Sequence, residues 1–222
     1  MRPDLSHVTS FPRLLVAESN VATVESLVQT FEDRRLNFDY DVCTSHDHAV
    51  VKLFSSPPPY HLIISSVRLA EVDDFFLLKH NRQLQPFVPF VITAGASDIN
   101  SSRRALERGA FDLLLTPLEH EQTVSTIRLG LWHNKVKALI ASRDKVIERY
   151  RHHLANYPGN RSGDGFRVIL TTIEESLSAH EQTIDRVEAS ITLLADFDKA
   201  VGKLPRERAF ERLDKLPIVP AY

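Results

Sequence analysis

Short apolar runs alternate with amphipathic stretches through the first 130 residues. Leu14–Ala17 is an uninterrupted apolar run of the kind that forms a strand buried on both faces. Val21, Val24, Leu27, Val28 and Phe31 then fall at helical spacing, with Asn20 placed as N-cap. The alternation repeats four more times. FDYDVCTS predicts a strand and HDHAVVKLFSS a helix stopped by Pro57, Pro58 and Pro59. HLIISSV predicts the third strand, and DDFFLLKHNRQL a helix beginning at Asp73. FVPFVITA and SSRRALERGA follow, with Gly109 at a C-cap position, and then FDLLLTP and a helix opening at EHEQTV. Five strand–helix units in this length predict a doubly wound α/β domain with a five-stranded parallel sheet.

Beyond the fifth strand the period changes. Trp132, Val136, Leu139, Val146 and Tyr150 continue the fifth helix on a 3.5-residue repeat, with Arg143 interrupting it. A turn-rich NYPGNRSGDG segment intervenes. A second seam then runs through Leu170, Ile173, Leu177, His180, Ile184, Val187, Ile191 and Leu194. The predicted organisation is a tail (1–11), the α/β domain (12–132), a helix continuing it (133–157), a linker (158–165), a second helix with a short terminal one (166–216), and an end segment (217–222). Fold class is therefore α/β followed by an all-α coiled-coil hairpin.

Charge sharpens that picture. The whole chain of 222 residues is near neutral at −2. Residues 134–161 hold seven Lys/Arg against two Asp/Glu, whereas 171–198 hold one against seven. Opposite charge on consecutive helices favours an antiparallel hairpin, and its remaining apolar surface favours a second copy, hence a homodimer. The same pairing accounts for the basic helix without nucleic acid, and neither a recognition helix nor aromatic stacking platforms accompany it. The single cysteine excludes an internal disulfide framework. No apolar leader or membrane-length run is present, so the expected location is cytoplasmic, with no membrane partner.

In a doubly wound sheet, function lies at the carboxyl ends of the strands: here Glu18, Ser19, Ser65, Ser66, Thr93 and Thr116. From 13 to 132 these positions resemble the response-regulator receiver (CheY-like, flavodoxin-like) domain. HLIISSVRLAEVDDFFLLK is similar to the segment around that family's phosphorylated aspartate, ITAGAS carries its switch threonine at Thr93, and ALERGAFDLLLTPLE is similar to its run before the last helix. Carried over residue by residue, the phospho-acceptor position holds Ser66. Glu18 remains of the acidic pair, with Ser19 as its second member. Thr116 stands where the lysine would be, with Pro117 retained. Leu113 replaces the aromatic rotor, and Ala70-Glu71 the proline-glycine.

A serine cannot form an acyl phosphate, and one carboxylate among hydroxyls holds Mg²⁺ poorly. His61 lies about five residues, roughly 16 Å, from Ser66 and cannot serve it as a base. The sequence thus predicts a degenerate pseudo-receiver that is not an enzyme and has no cofactor or metal. It would act as an adaptor, docking a kinase, regulator or output enzyme through the fourth helix, fifth strand and fifth helix. Two alternatives stand beside it: a phosphorelay protein carrying phosphate on His180, and an atypical regulator contacting nucleic acid through Lys135, Lys137 and Arg143.

Overall fold

The computed structural model describes residues 11–34, 36–55 and 60–155, and, within 167–182, the helical positions 167, 168, 170–175, 178, 179 and 182. Five strands, β1 (Arg13–Ala17), β2 (Asp39–Cys43), β3 (Leu62–Ser66), β4 (Phe90–Ala94) and β5 (Asp112–Leu115), alternate with five helices. These are α1 (Val21–Asp33), α2 (His46–Ser55), α3 (Val67–Leu84), α4 (Ile99–Glu107) and α5 (His120–Ala155). All strand pairs are parallel, in the order β2-β1-β3-β4-β5. The order reverses between β1 and β3, the place where open α/β sheets build their clefts.

Strand alternation sorts the core into two layers. Leu15, Ala17, Ile63, Phe90, Ile92 and Leu113 pack with Ala49 and Leu53 of α2, Leu77 and Leu78 of α3, and Ala105 and Leu106 of α4. Leu14, Val16, Leu62, Ile64, Val91 and Leu114 pack instead with Leu27 and Phe31 of α1 and Ile127 of α5. Helices therefore cover both faces, as the apolar runs predict.

Local signals read from the chain have clear physical counterparts. The Asn20 side chain accepts the Thr23 N–H at 3.3 Å, capping α1. At the end of α4, Gly109 adopts φ +100°, its N–H reaches the Leu106 carbonyl, and the Ala110 N–H reaches that of Ala105, both at 3.0 Å. That pair of bonds is a Schellman cap.

The third helix departs from expectation. It starts at Val67, directly after Ser66, and not at Asp73. No glycine or proline follows Ser66 to enforce a loop, so the helix runs back to the strand. The remaining helix starts and strand ends fall within two or three residues of those expected.

The chain divides into two compact units, with the boundary between Leu131 and Trp132 inside α5. In the second unit Trp132, Val136, Leu139 and Leu170 are half-buried and Ile173 is buried, while Lys135 Nζ sits 5.2 Å from the centre of the Trp132 ring. The side chains of Val146 and Tyr150 lie outside the described residues. So do Leu177, His180, Ile184, Val187, Ile191 and Leu194, and with them the linker and the hairpin closure. No helix among the described residues is long and apolar enough to cross a membrane.

Candidate functional site

β1, β3, β4 and β5 end together, and their register sets the site. Ala17 pairs with Ser65, Ser66 with Thr93, and Ala94 with Leu115. Glu18 therefore leaves the sheet one strand away from Ser66 and two from Thr93. Its side chain, only 5% exposed, spans that distance: Thr93 Oγ1 donates to Glu18 Oε2 at 2.7 Å. The other oxygen, Oε1, accepts the backbone N–H of Asn20 at 2.9 Å. The carboxylate thus bridges the end of β3 and holds the Thr93 hydroxyl, itself 2% exposed, in a charge-assisted bond.

The other expected positions are less engaged with one another. Ser66 is buried and forms the N-terminal boundary of α3 without a side-chain capping bond. Ser65 Oγ donates to the Ser66 carbonyl at 3.1 Å. Ser19 is exposed. Thr116 lies beside Gly95, where an added Cβ would stand 3.5 Å from its hydroxyl, and its N–H reaches the Ala94 carbonyl at 2.9 Å. The peptide bond to the exposed Pro117 is cis. Leu113, at the rotor position, is fully buried in the core.

A receiver's Mg²⁺ fits this set poorly. Of the strand-end positions carried over, Glu18 alone is a carboxylate, each of its oxygens already accepts a hydrogen bond, and Ser19, Ser66, Thr93 and Thr116 are hydroxyls. Asp98, beside Thr116 near Gly95, is paired with Arg68. A hard dication that dehydrates reluctantly would have to displace the Thr93 hydroxyl from Glu18. His61 stands at the opposite end of β3, where its Nδ1 accepts the Arg13 N–H at 3.0 Å, and burial lowers its pKa.

Several engaged residues carry no signal in the sequence. Asp41 on β2 collects Arg13 Nη2 at 2.5 Å, Lys52 Nζ at 3.0 Å and the Tyr60 hydroxyl at 3.0 Å. The three donors lie 28, 11 and 19 residues away in the chain, so no local pattern could reveal them. Asp112, also buried, accepts the Thr126 hydroxyl at 2.9 Å and so fastens α5 to β5.

Large exposed apolar side chains mark another feature. Val51 and Phe54 of α2, at 58% and 51%, stand exposed together with Leu84 of α3 and Phe87 beyond it. The Phe54 ring contacts those of Phe76 and His80, which stack on each other at 3.8 Å. Among the described residues no large apolar side chain is so exposed on α4, β5 or α5, the face favoured by the sequence reading.

Comparison with known proteins bears on the whole domain. No protein-family model matches the chain. The DNA-binding transcriptional regulator NtrC of Proteus hauseri is 22% identical over 156 residues, covering 69% of this chain and 32% of NtrC. The transcriptional regulatory protein ZraR of Salmonella typhimurium is 32% identical over 76 residues, 34% of this chain and 17% of ZraR. The chain thus spans about a third or less of these curated relatives.

Among solved structures, a signal receiver domain of an HD domain-containing protein from Pseudomonas fluorescens Pf-5 superposes with a TM-score of 0.53 at 21% identity. The match covers 61% of this chain and 97% of that one. An uncharacterized protein from Neptuniibacter caesariensis gives 0.51 at 22% identity, covering 57% and 92%. Sheet order and these likenesses agree that the first unit has the receiver-type (CheY-like) α/β fold.

Proposed function

We propose that this receiver-type domain serves a non-catalytic pseudo-receiver adaptor in bacterial two-component or phosphorelay-type signalling. It works by docking other proteins and dimerising through its C-terminal helices. The observation that carries the reading is the occupied carboxylate. Glu18 is committed to Thr93 and the Asn20 N–H, while serine and threonine stand where aspartyl-phosphate chemistry needs a carboxylate nucleophile and an ammonium group. The likeness to NtrC and ZraR, both transcriptional regulators, supports a regulatory setting.

Docking is assigned to α2 and α3. Val51 and Phe54 are exposed on α2, the Phe54 ring meets Phe76 and His80 of α3, and Leu84 further along α3 is exposed as well; exposed apolar side chains in number mark surfaces that are used. The half-buried Trp132, Val136 and Leu139 support helix pairing in the second unit.

A pull-down from nuclease-treated lysate tests the assignment, with the full chain and its Phe54→Asp/Leu84→Asp variant as parallel baits, each first weighed by light scattering. The reading expects a dimer mass for both baits and partners on the unaltered chain alone. Equal recovery on both baits would remove the α2–α3 face, and a monomer mass would remove the dimer.

A further inference from the structure

α3 runs without a gap from Val67 to Leu84 but carries a strained point near its middle. Asp74 has φ +54° and Phe75 φ +64°, inside the left-handed region that bulky side chains avoid. Two such residues in succession set a strained point between 67–73 and 76–84. A conformation of this kind persists only where its surroundings impose it.

Those surroundings combine the apolar core around Phe75 with ion pairs at the surface. Asp74 accepts from Lys79 Nζ at 2.5 Å and from Arg108 Nη2 at 2.7 Å. Glu71 pairs with Arg104. The guanidinium carbons of Arg108 and Arg104 lie 4.8 and 5.8 Å from the centre of the Phe75 ring, which is fully buried. Nearer the strand ends, Arg68 reaches Asp98 Oδ1 at 3.2 Å and Ser97 Oγ at 3.4 Å. From α2, His46 Nδ1 lies 3.2 Å from the Leu69 carbonyl oxygen.

Apolar anchoring divides unequally across the strained point. Residues 76–84 bury Leu77 and Leu78 against the sheet, and Phe75 is buried at the strained point itself. Among the described side chains of 67–72, Val67 and the small Ala70 are buried and Leu69 is partly covered. From this segment Glu71 reaches α4 through Arg104, and Arg68 reaches Asp98 at the start of α4.

We infer that residues 67–73 form a latch, hinged at Asp74 and Phe75 and held shut against α4 by the Glu71–Arg104 pair, while Arg108 pins the hinge itself through Asp74 and Phe75. Release of those pairs lets the segment leave α4 and undoes the direct passage from strand to helix after Ser66. The domain thereby has a way to change shape at its strand ends without a phosphoryl group. The latch stands whether or not the adaptor reading does.

Hydrogen exchange on the full chain tests it. In the Arg104→Ala/Arg108→Ala variant, amides of 67–73 should lose protection roughly tenfold, the order expected from a few half-exposed ion pairs, while those of 77–84 and β4 hold. A charge swap, Glu71→Arg with Arg104→Glu, should restore protection relative to Arg104→Glu alone. Should the double variant fail to fold, raising NaCl from about 0.05 M to about 1 M on the unaltered chain gives the same reading, because screening contracts to about 3 Å. Unchanged exchange at 67–73, or equal loss across 67–73 and 77–84, would overturn the latch. So would a swap that restores nothing.

Discussion

A buried carboxylate is tolerable only while its oxygens have donors, and Glu18 has one for each. Thr93→Val removes the donor to Oε2 and keeps the shape, leaving the charge half-satisfied. That change should destabilise the domain by about 1–3 kcal/mol, read as a lower denaturant midpoint with an unchanged slope. An unaltered midpoint would mean that the bond is not holding the two strands' ends together. Asp41 makes a different forecast. Burial tends to raise its pKa, but hydrogen bonds from Lys52, Tyr60 and Arg13 outweigh that, and the net shift is downward. A carboxyl with a depressed folded value stabilises above its unfolded pKa, about 4, and loses that contribution as pH falls through the lower folded value. Asp41→Asn should therefore lower stability at pH 7 and flatten its fall as pH drops below about 4. A variant with the same acid slope as the unaltered protein would contradict the assignment. Neither network was visible in the sequence in the same degree. Glu18 and Thr93 were legible because strand ends in this fold attract attention, whereas Asp41 looked like any polar residue on an edge strand.

Gly130 shows how an element can carry a residue that its own propensity disfavours. Glycine inside a helix is less favourable than alanine by about 1 kcal/mol, yet α5 keeps one where it crosses β3. An added Cβ there would lie 2.6 Å from Leu62 Cδ1 and 3.7 Å from Pro89 Cβ. Leu62 is wholly buried and has little room to give. Gly130→Ala should thus be destabilising by about 1–3 kcal/mol, the order of core overpacking, against the gain that helix propensity alone forecasts. A thermal midpoint at or above that of the unaltered chain would show that Leu62 repacks freely. Strand positions and helix ends were readable because they rest on local signals: apolar runs, Asn20 as a cap, Gly109 past a helix end. The early start of α3 was not, because no local signal marks it: Ser66 makes no side-chain capping bond, and the partners of its first turns, Asp98 and Arg104, lie some thirty residues downstream. Periodicity alone places that helix where its regular part begins.

The first unit keeps the sheet order and helix layers of a receiver and fills its strand ends with hydroxyls around one committed carboxylate. Composition and order made the fold readable across the first 130 residues, since four of the five strands rest on short apolar runs and the helices carry apolar stripes. The coiled-coil seam was equally plain as a pattern, and most of its second half lies outside the described residues. The docking face was less legible. Which apolar side chains of α2 and α3 stay exposed depends on how completely the helices cover the sheet, and that is a tertiary property. Loss of aspartyl-phosphate chemistry is the claim on which the functional reading turns. Intact-protein mass spectrometry after incubation with acetyl phosphate and Mg²⁺ tests it most directly. The account predicts no added phosphoryl mass on the unaltered chain. A phosphoryl adduct that hydroxylamine removes, the signature of an acyl phosphate on a carboxylate, would contradict it.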